Sequence, residues 1–119
     1  VSVPVFVFGS NLAGRHGKGA ARWAAQHRGA VYGVGEGFRG NSYAIPTKDA
    51  NIRTLHLDEI TAHVRLFKDF AAANGDLTFQ LTPIGCGLAG YKPADIAPMF
   101  ADAPANVTMP QEFAAVLCA

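Results

Sequence analysis

The chain has 119 residues, a formal net charge of +1 and 16% charged residues, and half of it is hydrophobic by type. That length predicts one domain with a core large enough to need no metal or disulfide staple. A charge this close to zero argues against a general nucleic-acid or membrane surface, which needs a dense basic patch. No apolar run approaches the ~20 residues of a membrane span. Val1 to Ser10 lacks the basic start and small-residue cleavage site of a signal peptide. Cys86 and Cys118 make no disulfide framework, and a cytoplasmic protein is expected.

Val3 to Phe8 is a continuous apolar run, β-branched and aromatic, and reads as a buried strand. It stops at Gly9-Ser10-Asn11. From Gly17 or Gly19 to Arg28 the pattern turns helical, with Gly29 placed to close it. Residues 29–42 are glycine-rich and read as irregular. Ser42 to Pro46 is a second short strand ending at Thr47-Lys48-Asp49. Asp58 to Ala73 is the clearest helix, with Ile60, Val64, Phe67 and Ala71 on one face, Asp58 as its cap and Asn74-Gly75 as its end. Leu77 to Pro83 alternates apolar and polar residues and predicts a strand with one polar face. A helix interrupted by Pro98 follows from Pro93 to Asp102, with a 3₁₀ turn expected first. A short strand over Asn106–Met109 and a helical stretch over Gln111–Leu117 complete the chain.

Strands alternating with helices predict an α/β layer architecture. Its ligands bind beyond the carboxyl ends of strands, where glycine is dense in this chain. Nine of the thirteen glycines fall between Gly9 and Gly40, and three between Gly85 and Gly90. The first loop, Gly9 to Gly19, contains Ser10, Asn11, Gly14, His16 and Gly17 and feeds a helix N-terminus, whose free N–H groups suit phosphate. Arg15 and Lys18 add positive charge. Its spacing is neither that of a Walker A loop nor that of a Rossmann fingerprint, so a tight structural loop competes with a phosphate loop. The Asn11 amide can read a ribose hydroxyl or start an Asx-turn. The second loop, Ile84-Gly85-Cys86-Gly87-Leu88-Ala89-Gly90-Tyr91, offers a second backbone cradle. Two cradles suggest a diphosphate.

Side chains in these loops carry less signal. Cys86 reads as packing rather than as a nucleophile, because no spacing ties a histidine to it. Lys48, alone, reads as a solvated turn residue. Trp23 reads as helix packing, while Tyr91 and Phe38 are able to stack on a base. The four histidines show no metal-ligand spacing, so neither a metal nor a cofactor is expected.

The order strand, Asn11, glycine loop, Ala-rich helix, then a strand ending in Thr47-Lys48, then Pro83-Ile84-Gly85-Cys86-Gly87-Leu88, resembles the macrodomain superfamily. It is most similar to the branch of the terminal ADP-ribose glycohydrolase and of the antitoxins that remove ADP-ribose from DNA. The resemblance implies a three-layer α/β/α sandwich with a mixed central sheet. Its ligand would be ADP-ribose or a close derivative, carried by a protein or nucleic acid. It assigns Lys48 to the ADP-ribose C1″ bond and Thr47 to the ligand strand. The acid that follows Gly-Cys-Gly-Leu in the glycohydrolase is Ala89 here, leaving Asp49 as the candidate partner of Lys48. No counterpart is seen of the family's Gly-Asp-Ile/Leu segment, whose acid reads the adenine, or of the arginine after Pro83. A compact, divergent member is the reading. Gly9 to Gly37 also resembles the lysine-decarboxylase-like nucleotide-binding family, which has nothing to match Ile84–Gly90. A non-catalytic nucleotide binder and a structural domain whose glycines only make turns are the remaining alternatives.

Overall fold

The computed structural model describes residues 3–119; Val1 and Ser2, part of the segment read above for signal-peptide features, lie outside the described residues. In chain order the elements are β1 (Val5–Asn11), α1 (Gly19–His27), β2 (Gly37–Arg39), β3 (Ser42–Lys48), α2 (Leu57–Ala73), β4 (Phe79–Leu81), α3 (Pro93–Ile96), β5 (Val107–Thr108) and α4 (Gln111–Leu117). A 3₁₀ turn over Ala97–Phe100 follows α3. The strands form one mixed sheet in the order β2-β3-β1-β4-β5. β1 runs parallel to β3 and β4, β4 parallel to β5, and only β2 is antiparallel, to β3. This is an α/β protein. No helix among the described residues is long and apolar enough to cross a membrane.

β1 is apolar without alternation because it lies in mid-sheet with both faces covered. Val5 and Val7 enter an apolar cluster with Ile60, Val64 and Phe67 of α2, Ile96 of α3 and Phe113 of α4. Phe6 and Phe8 enter a second, smaller cluster with Ala44 and with Ala21 and Ala24 of α1. Small residues on α1 let that helix approach the sheet closely. In the larger cluster Phe67 meets Tyr43 and Phe79 edge-on, with ring centroids 5.0 and 5.5 Å apart.

The elements differ from expectation in ways the packing explains. β1 runs on through Gly9, Ser10 and Asn11 because β3 is long enough to pair with them. β3 continues past Pro46 to Lys48; β2 pairs only with Ser42–Ala44, so Pro46 is laddered on one flank alone. β2 itself was not legible, being three residues inside a glycine-rich segment. β4 is shorter than Leu77–Pro83, yet its alternation holds, with Phe79 and Leu81 buried and Gln80 exposed. α2 starts at Leu57 with His56 as its cap residue, whose N–H donates to the Glu59 carboxylate at 3.2 Å, while Asp58 lies in the first turn. The 3₁₀ turn comes after the α turn, the reverse of the expected order. Pro93 is tolerated at the first turn of α3, and Pro98 falls in the tighter segment.

Two irregular segments are pressed together beside β1. Gly14 has φ +69°, and a Cβ there would lie 2.3 Å from the Gly33 carbonyl carbon. A Cβ on Gly35 would lie 2.3 Å from the Asn11 oxygen. Gly33 N–H donates to Gly14 O at 2.8 Å, and the Ser10 hydroxyl donates to Gly35 O. This contact braces the loop between β1 and α1, part of which lines the site described below.

Gly35→Ala therefore has nowhere to put its methyl group. It should lower the unfolding free energy by roughly 1–3 kcal/mol, as overpacking does. Gly75→Ala, where a Cβ meets nothing within 4 Å, should stay within about 1 kcal/mol of wild type in the same urea titration. Equal midpoints for the two variants would refute the close-contact account. Tyr43 is 4% exposed, and burial, with Glu36 nearby, pushes its phenol up to about 12. A raised value means stability that is full below the ordinary phenol range and lost as pH climbs through about 12. An alkaline unfolding titration should show that loss, and Tyr43→Phe should reduce it.

Candidate functional site

β1, β3 and β4 run parallel, so their carboxyl ends open on the same edge of the sheet. Between β1 and β3 the register slips after Ser10, setting Lys48 rather than Thr47 opposite Asn11. Such a bulge ends regular pairing and re-aims the next side chain. A cleft of about 790 Å³ lies there, within the size range of small-molecule sites. Gly9, Ser10, Asn11, Gly17 and Gly19 line it from the first loop, and Thr47 and Lys48 from β3. Ile84, Gly85, Cys86, Gly87, Leu88 and Ala89 line it from the second loop. Both glycine loops and the Thr-Lys strand end thus share one cleft.

Two of the segments that line this space carry backbone donors that no protein group accepts from. Lys18 caps α1 without a side-chain hydrogen bond, and the N–H groups of Gly19, Ala20 and Ala21 have no protein acceptor. In the second loop the N–H groups of Gly85, Gly87, Leu88 and Ala89 are likewise without a protein acceptor. That loop is nonetheless firmly held. Tyr91 N–H donates to Gly85 O at 2.8 Å, the Tyr91 hydroxyl to Leu55 O at 2.6 Å, and the Thr54 hydroxyl to Ala89 O at 3.0 Å. Rigid loops with unsatisfied donors are ready to take an anion.

The glycines divide by purpose. Gly14 and Gly35 are fixed by contacts inside the protein, and Gly85 and Gly90 by φ of +75° and +87°. Gly17 and Gly87 are different: neither has a positive φ, and a Cβ on either would meet nothing within 4 Å. Gly75 shares this freedom but lies away from the cleft. At Gly17 and Gly87 nothing in the chain itself requires glycine.

Charge on the cleft wall is lopsided. Arg15, Lys18 and Lys48 line it against a single carboxylate, Glu112 of α4. No salt bridge among the described residues involves any of the three cations. Cys86 lies on the wall near Glu112, and its thiol is pushed up by burial and then by the Asp95 and Glu112 carboxylates. It is held protonated. No histidine lines the cleft, so the reading of Cys86 as packing stands over that of a nucleophile.

Several expected residues serve the frame, Asn11 and Thr47 in addition to lining the cleft. The Asn11 amide donates to Arg15 O and accepts from Arg15 N–H, both at 2.9 Å, so it builds the loop. The Thr47 hydroxyl donates to Ser10 O at 3.3 Å. His16 is 3% exposed, its Nε2–H donates to Val34 O at 3.1 Å, and its ring stands edge-on to Phe8. Gly14, His16, Asp49, Gly90 and Tyr91 do not line the cleft. One Asp49 carboxylate oxygen accepts from Asn51 N–H at 2.8 Å and Arg53 N–H at 2.9 Å. Phe38 packs on Phe70 in the core, and Trp23 packs on Phe6 with the Arg28 guanidinium 4.6 Å from its ring centroid. Neither Phe38 nor Trp23 lines the cleft.

Sequence reasoning missed Tyr32, Ile52, Pro93 and Glu112, along with Ala20, Ala21, Thr82 and Pro83. The last four adjoin segments already singled out and were within reach of the same loop argument. Tyr32 and Glu112 come from parts of the chain that the fold brings near, and Ile52 lies in the turn just beyond Lys48. Among the described residues no group of three or more His, Cys, Asp or Glu converges as a metal site. Comparison of the chain with protein-family models found no match, and neither did comparisons with curated proteins and with solved structures.

The environment of Cys86 makes a direct prediction. Cys118 is exposed, so iodoacetamide should modify it well before Cys86. The Cys86 rate should reach half its maximum only above the ordinary thiol range, because its shift is upward. Faster labelling of Cys86 at neutral pH, read by peptide mass spectrometry, would reverse the assignment.

Proposed function

We propose that the cleft binds ADP-ribose or a close derivative, its diphosphate held between the α1 N-terminus and the Gly85–Ala89 loop. The observation that carries this reading is the freedom at Gly17 and Gly87. Glycines with no internal reason to be glycine, on opposing loops whose N–H groups lack acceptors, suit close approach of a phosphate to the backbone. Three cations against one carboxylate favour the same anion. A diphosphate spans two cradles where a single phosphate fills one. On this reading the fold is the three-layer α/β/α sandwich of a macrodomain, with α1 on one face and α2, α3 and α4 on the other. The ligand arrives free or attached to a protein or nucleic acid.

Binding without turnover is the form we favour. In the macrodomain reading Lys48 acts at C1″, and it lines the cleft as that role requires. Its candidate partner Asp49 is turned to the backbone of its own loop, and Ala89 supplies no acid. Lys48 then serves as a positive contact for the ligand, and hydrolysis is the second reading.

Calorimetric titration with ADP-ribose, with AMP and ADP as controls, tests this directly. Micromolar affinity, about −8 kcal/mol, is expected for ADP-ribose, with weaker binding of the controls. Gly87→Val should remove binding while leaving the urea midpoint within about 1 kcal/mol of wild type, since its side chain enters open space. Lys48→Ala should weaken binding about ten-fold, the scale of one charge-assisted hydrogen bond. Unchanged affinity in a folded Gly87→Val would place the site elsewhere. Release of ADP-ribose from a modified substrate by wild type and not by Lys48→Ala would establish the hydrolytic reading instead.

A further inference from the structure

Ile52 is the one non-glycine residue with positive φ among the described residues, at +63°. A β-branched side chain in the left-handed region crowds its own backbone, and this position is a true outlier for isoleucine. The chain holds it there firmly. Asp49 accepts from Asn51 and Arg53 N–H through its carboxylate and from Ile52 N–H through its carbonyl at 3.1 Å. Asp49 N–H donates to Arg53 O at 2.8 Å, and Lys48 pairs with Thr54 across the turn. Glycine or asparagine makes such a turn with less strain.

Burial does not offset this strain. Ile52 is 37% exposed and belongs to neither apolar cluster. Its place is on the cleft wall, four residues beyond Lys48, where Tyr32 and Leu88 are also exposed, at 66% and 69%. An over-determined turn that fixes an apolar side chain at a ligand cleft, against local preference, is strain kept for contact. The three cations on that wall account for phosphate, and none of them accounts for the rest of a nucleotide. Ile52 offers an apolar surface for it.

We infer that Ile52 is a specificity-determining contact, packing against the apolar face of a ring in the bound nucleotide beside the group that Lys48 holds. The ring is a base or a ribose. This inference rests on the reading of the cleft as an ADP-ribose site.

The test compares wild type with Ile52→Gly and Ile52→Val, titrated with ADP-ribose, AMP and ribose 5-phosphate, and melted without ligand. Ile52→Gly should melt at the same temperature as wild type or higher, because strain is relieved. It should bind ADP-ribose about ten-fold more weakly, the scale of one lost apolar contact. Ile52→Val, which keeps the branched surface, should bind within about three-fold of wild type on the same scale. A loss shared by AMP but not ribose 5-phosphate assigns the contact to the base; a loss that includes ribose 5-phosphate, or falls on ADP-ribose alone, assigns it to a ribose. Wild-type affinity in Ile52→Gly, or a lower melting temperature in that variant, overturns the inference and leaves the ADP-ribose reading standing. No binding of ADP-ribose by wild type overturns both.

Discussion

The site depends on a backbone contact that admits no side chain. Gly14 and Gly35 let the segment after β1 and the segment before β2 lie against each other at distances a Cβ would forbid. Hydrogen bonds then fix their relation: Gly33 N–H to Gly14 O, the Ser10 hydroxyl to Gly35 O, and His16 to Val34 O. This contact braces the chain between Asn11 and Gly19 from outside, while the Asn11–Arg15 hydrogen bonds hold it from within. Together they lead the chain to the N-terminus of α1, on the same edge as the β4 loop. The two most informative glycines for the fold are therefore not the two most informative for the ligand.

Once the frame is set, the cleft separates the work of backbone and side chains. N–H groups from α1 and from the second loop supply directional donors that no titration can remove. Arg15, Lys18 and Lys48 supply charge, the lysines as point charges that attract an anion without orienting it and Arg15 as a planar fork that suits a phosphate. Glu112 breaks the symmetry, placing the one carboxylate near Cys86.

Much of this was legible in the sequence, and the rest was hidden for identifiable reasons. β1, α1 and α2 declared themselves because their apolar patterns reflect burial on one or both faces, which is a local property. The two glycine loops declared themselves by density. What density did not reveal was purpose: Gly14 and Gly17 look alike in the chain, yet one is packed against Gly33 and the other faces open space. β2 was invisible because a three-residue edge strand has too few positions to show a period. Asp49 was misleading for the opposite reason. Following Lys48 directly, it looked like a partner, but alternation along a strand end sends neighbouring side chains apart, and its carboxylate closes the next turn. Glu112 lies far along the chain and only the fold brings it in, whereas Ile52 sits four residues beyond Lys48 but outside any pattern.

That same turn limits the chemistry open to Lys48. An amine that attacks a sugar carbon needs a neighbour to take and return protons, and that neighbour must be free to do so. One Asp49 oxygen is occupied by two backbone donors, and moving it would release a loop that also holds Ile52 in its strained conformation. The Asp49 carboxylate thus serves the turn through one oxygen and does not line the cleft, which leaves Lys48 without an acid beside it there. The chain has settled on the turn, and Ala89 leaves the second loop without a substitute. A charged residue with no proton partner still contributes to a phosphate or hydroxyl contact, and on the proposed reading of the cleft that is the role left to Lys48.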